Sequence, residues 1–431
     1  MTRKAFFGIL PHLALALAAC DGPAPASDGG VPPPDASVAD AAVQEDAGAP
    51  VEAGTIDPTF GEGGFVQFTS TTVDLLVERE AGFAAVLGQT GFFFDREGVE
   101  DGMASLANVR VFHDLVSLSG GHWLALIELN FDSSVRLFRL DAAFGIDDTF
   151  AAPAEAFEDL ESASSLALDG AGSIFVAGTL DDGTTTRVVV RKLSAEGVLD
   201  TAFGVGGTAT ATLDDVEARG PVRVLADGSI AALCTRGFTP CVVRFDAGGA
   251  PDASFGTGGG VVLDAFGPRY PRALVVDPEG RLVVLGMSNE TIQLGRLAAD
   301  GSLDGTFGEG GMAELRGIVR PSSSDYDEAV EARALAVAPD GSLLVVGSFE
   351  LDEPDDGAPD DEDLIIARFT PNGALDPTFA GRGWTRLDVA AGVERTRTWT
   401  DRALVFDDRV FVAGEHLREG TWRGFVTSVA L

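Results

Sequence analysis

The densest cluster of possible metal ligands in the sequence is an acidic run from Glu350 to Asp363. Carboxylate oxygens are the ligands that Ca²⁺ prefers, but the spacing of this run differs from the Asp-x-Asp-x-Asp-Gly loop with a distal Glu. A solvated acidic insertion is therefore favoured over a calcium site. If the run does bind Ca²⁺, the one cofactor that the sequence suggests, the ligands are Asp352, Asp355, Asp356, Asp360 and Asp361.

Cys234 and Cys241 flank the segment from Thr235 to Pro240, between two consecutive predicted strands. In an exported protein such a pair favours a disulfide over free thiols. A zinc site is disfavoured, because two cysteines without neighbouring His or Cys supply only half of its ligands.

No familiar catalytic motif is present: the sequence lacks Gly-x-Ser-x-Gly, His-Glu-x-x-His and a Walker loop. His122 lies beside Trp123 in an alternating run and is interpreted as a packed strand residue. An active site assembled from acids and bases of distant segments leaves no such motif, so an enzyme stays an alternative.

One phrase, Leu-Asp-x-x-Phe-Gly or a close variant, recurs with a unit of about 52 residues. Each Asp is expected to cap a turn between units, with the Phe filling the space between them, rather than to serve as a metal ligand or acid. A cation that precedes each phrase is expected to bind the same turn. The repeated pairs are Asp57 and Phe60, Asp147 and Phe150, Asp200 and Phe203, Asp252 and Phe255, Asp304 and Phe307, and Asp376 and Phe379; the cations are Arg139, Lys192, Arg244, Arg296 and Arg368.

Each unit reads as four short strands. Arg333 to Val337 and Leu343 to Gly347 are apolar runs joined by Asp340-Gly341, a β-hairpin signal. A third run precedes the phrase and a fourth follows its Gly-Gly pair, which predicts an all-β propeller of four-stranded blades. The longer interval between Phe60 and Phe150 accommodates two shortened blades, for a total of seven.

The two ends of the repeat array complete one another. The last residues, Gly424 to Val429, form a third-run strand without the phrase that follows it elsewhere, and that phrase stands at Ile56 to Phe60 instead. A ring closed by the N-terminal segment leaves no exposed edge between its ends, and it is favoured over an open solenoid.

The Asp-Gly hairpin, the Arg-Phe or Arg-Leu strand end and the Leu-Asp-x-x-Phe-Gly-x-Gly-Gly phrase together resemble the delta-60 repeat family, over about residues 55–431. The resemblance implies an exported bacterial protein with a β-propeller-like fold. It implies no assigned activity and no catalytic residues.

The N-terminus reads as an export signal. Arg3 and Lys4 precede an apolar stretch too short to span a bilayer, and Leu17-Ala18-Ala19-Cys20 resembles the lipobox of bacterial lipoproteins. The prediction is a signal peptide over residues 1–19, lipidation of Cys20, a flexible acidic tether over residues 20–54 and a propeller over residues 55–431. The protein is thus expected in the cell envelope, attached by its lipid, with the membrane and leaflet left open.

The charge of the chain excludes one class of partner. With 30 basic and 67 acidic residues the formal net charge is −37, so nucleic acid is not expected to bind.

Aromatic residues in the irregular loops suggest a binding face. Loops on one face of the ring carry the insertions, and exposed aromatic residues there are candidate anchors for a protein or glycan. The alternative is that Trp399 and Trp422 pack together and seal the ring. The candidate anchors are Tyr270, Tyr326, Trp399 and Trp422.

Three functions follow as hypotheses. The first is a monomeric, non-catalytic envelope lipoprotein that binds or scaffolds an unidentified ligand. The second is an exported enzyme acting on a polysaccharide or other polymer, with acids that meet at the axis of the ring. The third is a calcium-dependent adhesin that uses the acidic run.

Overall fold

The computed structural model describes residues 51–69, 72–130, 134–150, 152, 157, 159–160, 162–267, 270–288, 291–316, 330–351, 361–387, 389, 395–397, 403–418 and 420–431. The chain divides into two units, residues 1–49 and residues 50–431, and every described residue belongs to the second. Cys20, the expected signal peptide and the tether up to residue 50 lie outside the described residues.

The second unit is a seven-bladed β-propeller, which confirms the fold predicted from the repeats. Each blade is an antiparallel sheet whose strands follow the chain order outward from the axis, and innermost strands contact those of neighbouring blades around the ring. Blades 1 to 3 comprise β2 (Leu75–Arg79), β3 (Gly82–Leu87), β4 (Thr90–Asp95) and β5 (Glu100–Ser105); β6 (Val109–Ser117), β7 (Trp123–Leu129) and β8 (Val135–Leu140); and β9 (Ser162–Leu168), β10 (Ile174–Asp181), β11 (Thr186–Leu193) and β12 (Thr208–Thr210).

Blades 4 to 6 have four strands each, and blade 7 combines both ends of the ring. They comprise β13 (Glu217–Val224), β14 (Ile230–Arg236), β15 (Thr239–Phe245) and β16 (Gly260–Val262); β17 (Tyr270–Val276), β18 (Leu282–Ser288), β19 (Thr291–Leu297) and β20 (Met312–Leu315); β21 (Val330–Val337), β22 (Leu343–Leu351), β23 (Asp361–Phe369) and β24 (Trp384–Leu387); and β25 (Arg395–Arg397), β26 (Leu404–Phe406), β27 (Arg409–Arg418), β28 (Thr421–Ala430) and β1 (Phe65–Gln67).

One blade differs from its expected form. Blade 1 was expected to be shortened, yet it has a fourth strand, β5, paired with β4. The strand escaped detection because its sequence, Glu-Asp-Gly-Met-Ala-Ser, has no β-branched or aromatic residue, and its side chains are largely exposed. Blade 2 shows three strands among the described residues.

The N-terminal segment closes the ring, as the complementary ends predict. Strand β1 pairs antiparallel with β28, from Phe65 opposite Thr427 to Gln67 opposite Phe425. Ahead of it, the amide of Gly54 donates to the carbonyl of Ala430 at 2.8 Å. Residues from opposite ends of the described chain therefore form one continuous blade.

The central strands of each blade are buried on both sides because every blade packs between two others. In β22, Leu343 and Val345 pack against blade 5, whereas Leu344 and Val346 pack against blade 7. This arrangement explains why such strands read as unbroken apolar runs rather than as alternating patterns. Each fully buried Leu or Val contributes roughly 1.5–3 kcal/mol.

The repeated phrase forms a corner that joins each blade to the next. The Oδ1 atom of Asp304 accepts hydrogen bonds from the amide and hydroxyl of Thr306, at 3.0 and 2.7 Å. Arg296 is 1% exposed; its Nε donates to Oδ2 of Asp304 at 2.8 Å, and its Nη1 donates to the carbonyl of Pro371 in blade 6 at 2.6 Å. The same cation–carboxylate pair recurs in Arg139 with Asp147, Lys192 with Asp200, Arg244 with Asp252, and Arg368 with Asp376.

In five of the six phrases the Phe packs on a glycine of the following blade; the residues are Phe60, Phe150, Phe203, Phe255 and Phe307. Phe307 is fully buried, and the amide of Gly308 donates to the carbonyl of Asn372 at 2.8 Å. Next to it, Gly373 has a φ of +82°, and a Cβ there would lie 2.9 Å from both Gly308 N and the Phe307 ring. A larger residue is thus excluded at this turn by conformation and by space.

We expect Arg296→Met to destabilise the propeller far more than Lys192→Met, which removes the equivalent cation in blade 3. Breaking the buried Arg296 pair costs about 3–5 kcal/mol. The Lys192 pair spans 3.3 Å with side chains 23% and 35% exposed, so its loss costs about 0–1 kcal/mol. Urea unfolding of both variants measures the difference in the free energy of unfolding. Equal losses in the two variants would contradict the claim that burial makes the Arg296 pair the more important one.

We also expect the corner aspartates to make the fold acid-sensitive. The Thr149 hydroxyl and amide, followed by Arg139, lower the pKa of Asp147 from 3.8 to about 2. Since the folded state holds the charged form, this stabilisation is complete above pH 3.8 and is lost as the pH falls towards 2. Asp147→Asn should therefore melt below wild type at pH 6 and lose less Tm than wild type between pH 4 and about 2. Parallel Tm curves over that range would exclude the linkage.

Candidate functional site

The innermost strands of the ring enclose a cavity of about 510 Å³ on its axis. All seven blades contribute to the wall; examples from blades 1, 2, 3, 4, 6 and 7 are Leu75, Asp114, Ser165, Arg223, Leu335 and Leu404. A second cavity of about 560 Å³ lies among the ends of the innermost strands of blades 1 and 2, and it shares Val116 and Leu404 with the first. We call the first of these the axial cavity.

Irregularities in the innermost strands determine which side chains form the wall. In β9, β17 and β21 the register with the next strand shifts at one residue, respectively Ser164, Arg272 and Arg333. In β6 it shifts at two single residues, Arg110 and His113. In β13 the shift spans Arg219 to Pro221. Such β-bulges leave a residue without a ladder partner and re-aim its side chain. Three of the single bulged residues, His113, Ser164 and Arg272, line the axial cavity together with Arg219.

A glycine opposite the bulge permits the close approach of the two strands. At Gly347, across from the Arg333 bulge, a Cβ would lie 2.1 Å from the carbonyl oxygen of Glu331. Any other residue would push β21 and β22 apart at this point, so the bulge geometry depends on this glycine.

Asp114 is the one carboxylate of the axial cavity wall among the described residues, and it has a structural role. It is 2% exposed, and it accepts hydrogen bonds from the amides of Leu115 and Leu166, both at 2.8 Å, and from Ser165 Oγ at 3.2 Å. Ser165 Oγ in turn accepts from the amide of Val222 at 3.2 Å. Asp114 and Ser165 therefore connect the innermost strands of blades 2, 3 and 4, between which the described residues form no ladder.

The charged groups of the wall are mainly cationic. Arg219 pairs with Glu217 at 2.5 Å, and Arg223 donates to its neighbouring carbonyl, Val222 O, at 2.9 Å. Among the described residues, Arg272 has no carboxylate within ion-pair distance, and its buried Nε has no hydrogen-bond partner. The described part of the wall thus carries a guanidinium without a paired carboxylate, although the whole chain has a net charge of −37.

Two further polar atoms of the wall lack hydrogen-bond partners among the described residues, namely His113 Nε2 and Ser164 Oγ. The nearest carboxylate oxygen to His113 Nε2, Glu128 Oε2, lies at 3.6 Å, beyond hydrogen-bond distance. Buried polar atoms are nearly always hydrogen-bonded in folded proteins. Three such atoms on one cavity wall make this wall the candidate place where a ligand or water would complete the bonding.

The described wall of the axial cavity lacks the two groups of a glycosidic acid–base pair. That chemistry requires two carboxyl groups across the scissile bond, and the described wall offers Asp114 alone, already engaged in three hydrogen bonds. The described residues also contain no group of three or more His, Cys, Asp or Glu side chains arranged to hold a metal ion.

Several residues singled out from the sequence lie elsewhere. Cys234 and Cys241 are direct partners on β14 and β15, are fully buried and are joined by a disulfide. Trp422 is half-buried on β28, and Tyr270 begins β17, with its side chain outside the description. Asp361 begins β23, and its side chain is likewise outside the description. The other residues predicted from the sequence that lie outside the described residues are Tyr326, Trp399, Asp352, Asp355, Asp356 and Asp360.

The cavity residues were missed because a single strand sequence does not reveal a bulge. Two signals were present: Pro221 and Pro271 lie inside innermost strands, where proline marks an irregular position. Each stands next to or near an arginine of the wall, Arg219, Arg223 or Arg272.

Comparisons with known proteins agree with this fold. A family model described as "Domain of unknown function (DUF5122) beta-propeller" matches residues 172–203 and 338–379. The match supports a propeller repeat family. No curated protein matches the chain.

Solved structures with similar folds have low sequence identity. The polysaccharide lyase Uly1 is 10% identical with a TM-score of 0.48, over 89% of this chain and 94% of that one. Regucalcin, a calcium-binding protein from Agrobacterium tumefaciens, is 15% identical with a TM-score of 0.40, over 68% and 89%. A quinonprotein alcohol dehydrogenase-like protein from Bacteroides thetaiotaomicron is 10% identical with a TM-score of 0.41, over 71% of this chain and 64% of that one. These similarities concern the fold.

Within the part of the chain that the structure describes, no helix has the length and apolar character needed to cross a membrane.

We expect Asp114→Asn to lower the stability of the ring. The carboxylate of Asp114 presents two acceptor oxygens to its three hydrogen-bond donors, whereas the amide of Asn retains only one acceptor oxygen. The free energy of unfolding should therefore fall by about 1–3 kcal/mol. Ser165→Ala, which removes one donor from the same network, should cost less. Thermal unfolding of both variants tests this order, and an Asp114→Asn variant as stable as wild type would contradict the structural assignment.

Proposed function

We propose that the protein is an exported propeller, anchored to the cell envelope by a lipid on Cys20, that binds a small molecule in its axial cavity without transforming it. The observation that carries this proposal is the axial cavity itself, whose wall holds an arginine without a carboxylate partner and polar atoms without hydrogen-bond partners among the described residues. Its volume of about 510 Å³ falls in the range of small-molecule sites, about 300–1,000 Å³.

The arrangement of the cavity favours binding over catalysis. The carboxylate that could act as acid or base, Asp114, is occupied by backbone and hydroxyl donors from blades 2 and 3. A general base needs a free lone pair within hydrogen-bond reach of the substrate proton. Asp114 has its bonding capacity directed into the wall, so the wall can position a ligand but offers no second carboxylate to react with it.

Two features support export and anchoring. Leu17-Ala18-Ala19-Cys20 has the lipobox pattern, and the disulfide between Cys234 and Cys241 suits an oxidising compartment outside the cytoplasm. A net charge of −37 provides no attraction to anionic lipids. The lipid must therefore supply the membrane attachment.

The anchor is tested by expressing the full chain in a bacterium supplied with labelled palmitate. Cys20→Ala should lose the label and move from the membrane fraction to the soluble fraction. The double variant Cys234→Ala/Cys241→Ala should keep the label, since those cysteines form the disulfide. A labelled, membrane-bound Cys20→Ala protein would refute the anchoring proposal.

Ligand binding is tested by thermal-shift measurements with glucose, glucuronate and glucose 6-phosphate. At a hundredfold excess over Kd a ligand stabilises the fold by about 2.7 kcal/mol, which raises Tm measurably. Ser164→Trp, which fills the axial cavity, should abolish the shift, whereas Ser105→Trp on the exposed outer strand β5 should retain it. A shift that survives Ser164→Trp would place the ligand elsewhere.

A further inference from the structure

Three neighbouring blades place an arginine at the bulge of their innermost strand. The position where the register shifts is occupied by Arg219 in blade 4, by Arg272 in blade 5 and by Arg333 in blade 6. The repeat thus offers an internal comparison of one side chain in three environments.

In two of the three blades the arginine has a built-in partner. The sequence at these bulges is Glu-Ala-Arg, and Glu217 pairs with Arg219 while Glu331 pairs with Arg333. In blade 5 the corresponding sequence is Tyr270-Pro271-Arg272, so the position two residues before the arginine carries no carboxylate. The missing partner of Arg272 is therefore a departure from the repeat rather than a general property of the bulge.

A guanidinium left without its counter-ion is costly where water is partly excluded. Arg272 Nε is buried and unsatisfied, and desolvation of an unpaired charge or donor disfavours folding. The same cavity wall presents Ser164 Oγ and His113 Nε2, which lack hydrogen-bond partners among the described residues, although Glu128 Oε2 lies 3.6 Å from His113 Nε2. A hydroxyl, an imidazole nitrogen and a guanidinium are all groups that can donate hydrogen bonds to one kind of ligand atom, the oxygen of an anion.

From this geometry we infer that the axial cavity binds a small molecule through an oxyanion group, a carboxylate or a phosphate, which takes the place of the glutamate missing from blade 5. The inference rests on the proposed function and names the ligand class of that site. Arg272 receives the oxyanion, in the geometry that guanidinium groups offer to carboxylate and phosphate oxygens, and Ser164 and His113 donate further hydrogen bonds. The remainder of the cavity holds the uncharged part of the molecule.

The experiment compares the affinities of the full chain for glucuronate, glucose 6-phosphate and glucose, measured by isothermal titration calorimetry. At least one of the two anionic probes should bind about 10- to 100-fold more tightly than glucose. Arg272→Gln should remove that preference. Arg316→Gln, an exposed residue of blade 5 paired with Glu314, is the control and should retain it.

A second variant restores the partner that the other blades possess. Tyr270→Glu recreates the spacing of Glu217 and Arg219, so the new carboxylate should pair with Arg272 and compete with the ligand. We expect this variant to fold and to lose the preference for anions. Because Arg272 has no carboxylate partner among the described residues, Arg272→Gln should keep the wild-type Tm or exceed it, in contrast to a residue that holds the ring together.

The outcomes separate the inference from the proposed function. If glucose binds in the cavity as tightly as both anions, or if Arg272→Gln and Tyr270→Glu retain the preference for anions, the inferred ligand class is wrong and a binding cavity still stands. If none of the three probes binds, the inference fails, and the absence of any Tm shift counts against the proposed function as well. Binding of glucuronate alone or of glucose 6-phosphate alone would identify the oxyanion as a carboxylate or a phosphate.

Discussion

The corner between neighbouring blades is the interaction on which the structure depends. A carboxylate caps the turn, a cation on the third strand binds the carboxylate, and a phenylalanine packs on a glycine of the following blade. The seam of the ring preserves this arrangement by other means. Ser428 occupies the position of the cation there, and Arg409 Nη1 from the adjacent strand lies 3.0 Å from Asp57 Oδ2. The phenylalanine of this corner, Phe60, packs on Gly98 of blade 1. Because a cation still binds the corner carboxylate at the seam, although it comes from a different strand, we infer that closure of the ring requires this contact.

The axis of the ring is held together differently. Among the described residues, adjacent innermost strands form no ladder with one another, so side chains make the connections. Asp114 accepts the amide of Leu166, Ser165 accepts the amide of Val222, and Thr179 of the second strand β10 accepts the amide of Ala218. Each such bond fixes a pair of blades at one point. The residues at the bulges between these points can therefore differ from blade to blade without disturbing the corners. Such differences give the wall of the axial cavity chemically distinct groups, which a binding site requires.

The corner was readable from the sequence because it requires particular residues at fixed spacing. Asp304, Phe307 and the glycine at 308 each have a conformational or packing reason that substitution would violate, so the phrase recurs and reveals the unit. The bulges were not readable, because whether a residue such as Arg272 falls in or out of register depends on its partner strand. The strand β5 was hidden for a related reason: its pairing with β4 compensates for a composition that has little strand preference of its own.

A repeat protein gains a specific site where one repeat departs from the others. Seven equivalent blades would present a symmetric wall, with each arginine neutralised by its own glutamate, as in blades 4 and 6. Such a wall has no preferred orientation for a ligand. Replacement of the glutamate position by Tyr270 in blade 5 leaves Arg272 without a carboxylate partner among the described residues, on a wall to which blade 3 contributes Ser164 and blade 2 contributes His113 at the corresponding bulges. The departure converts a closed set of ion pairs into a directional anion site, and it costs the scaffold nothing at the corners that maintain the ring.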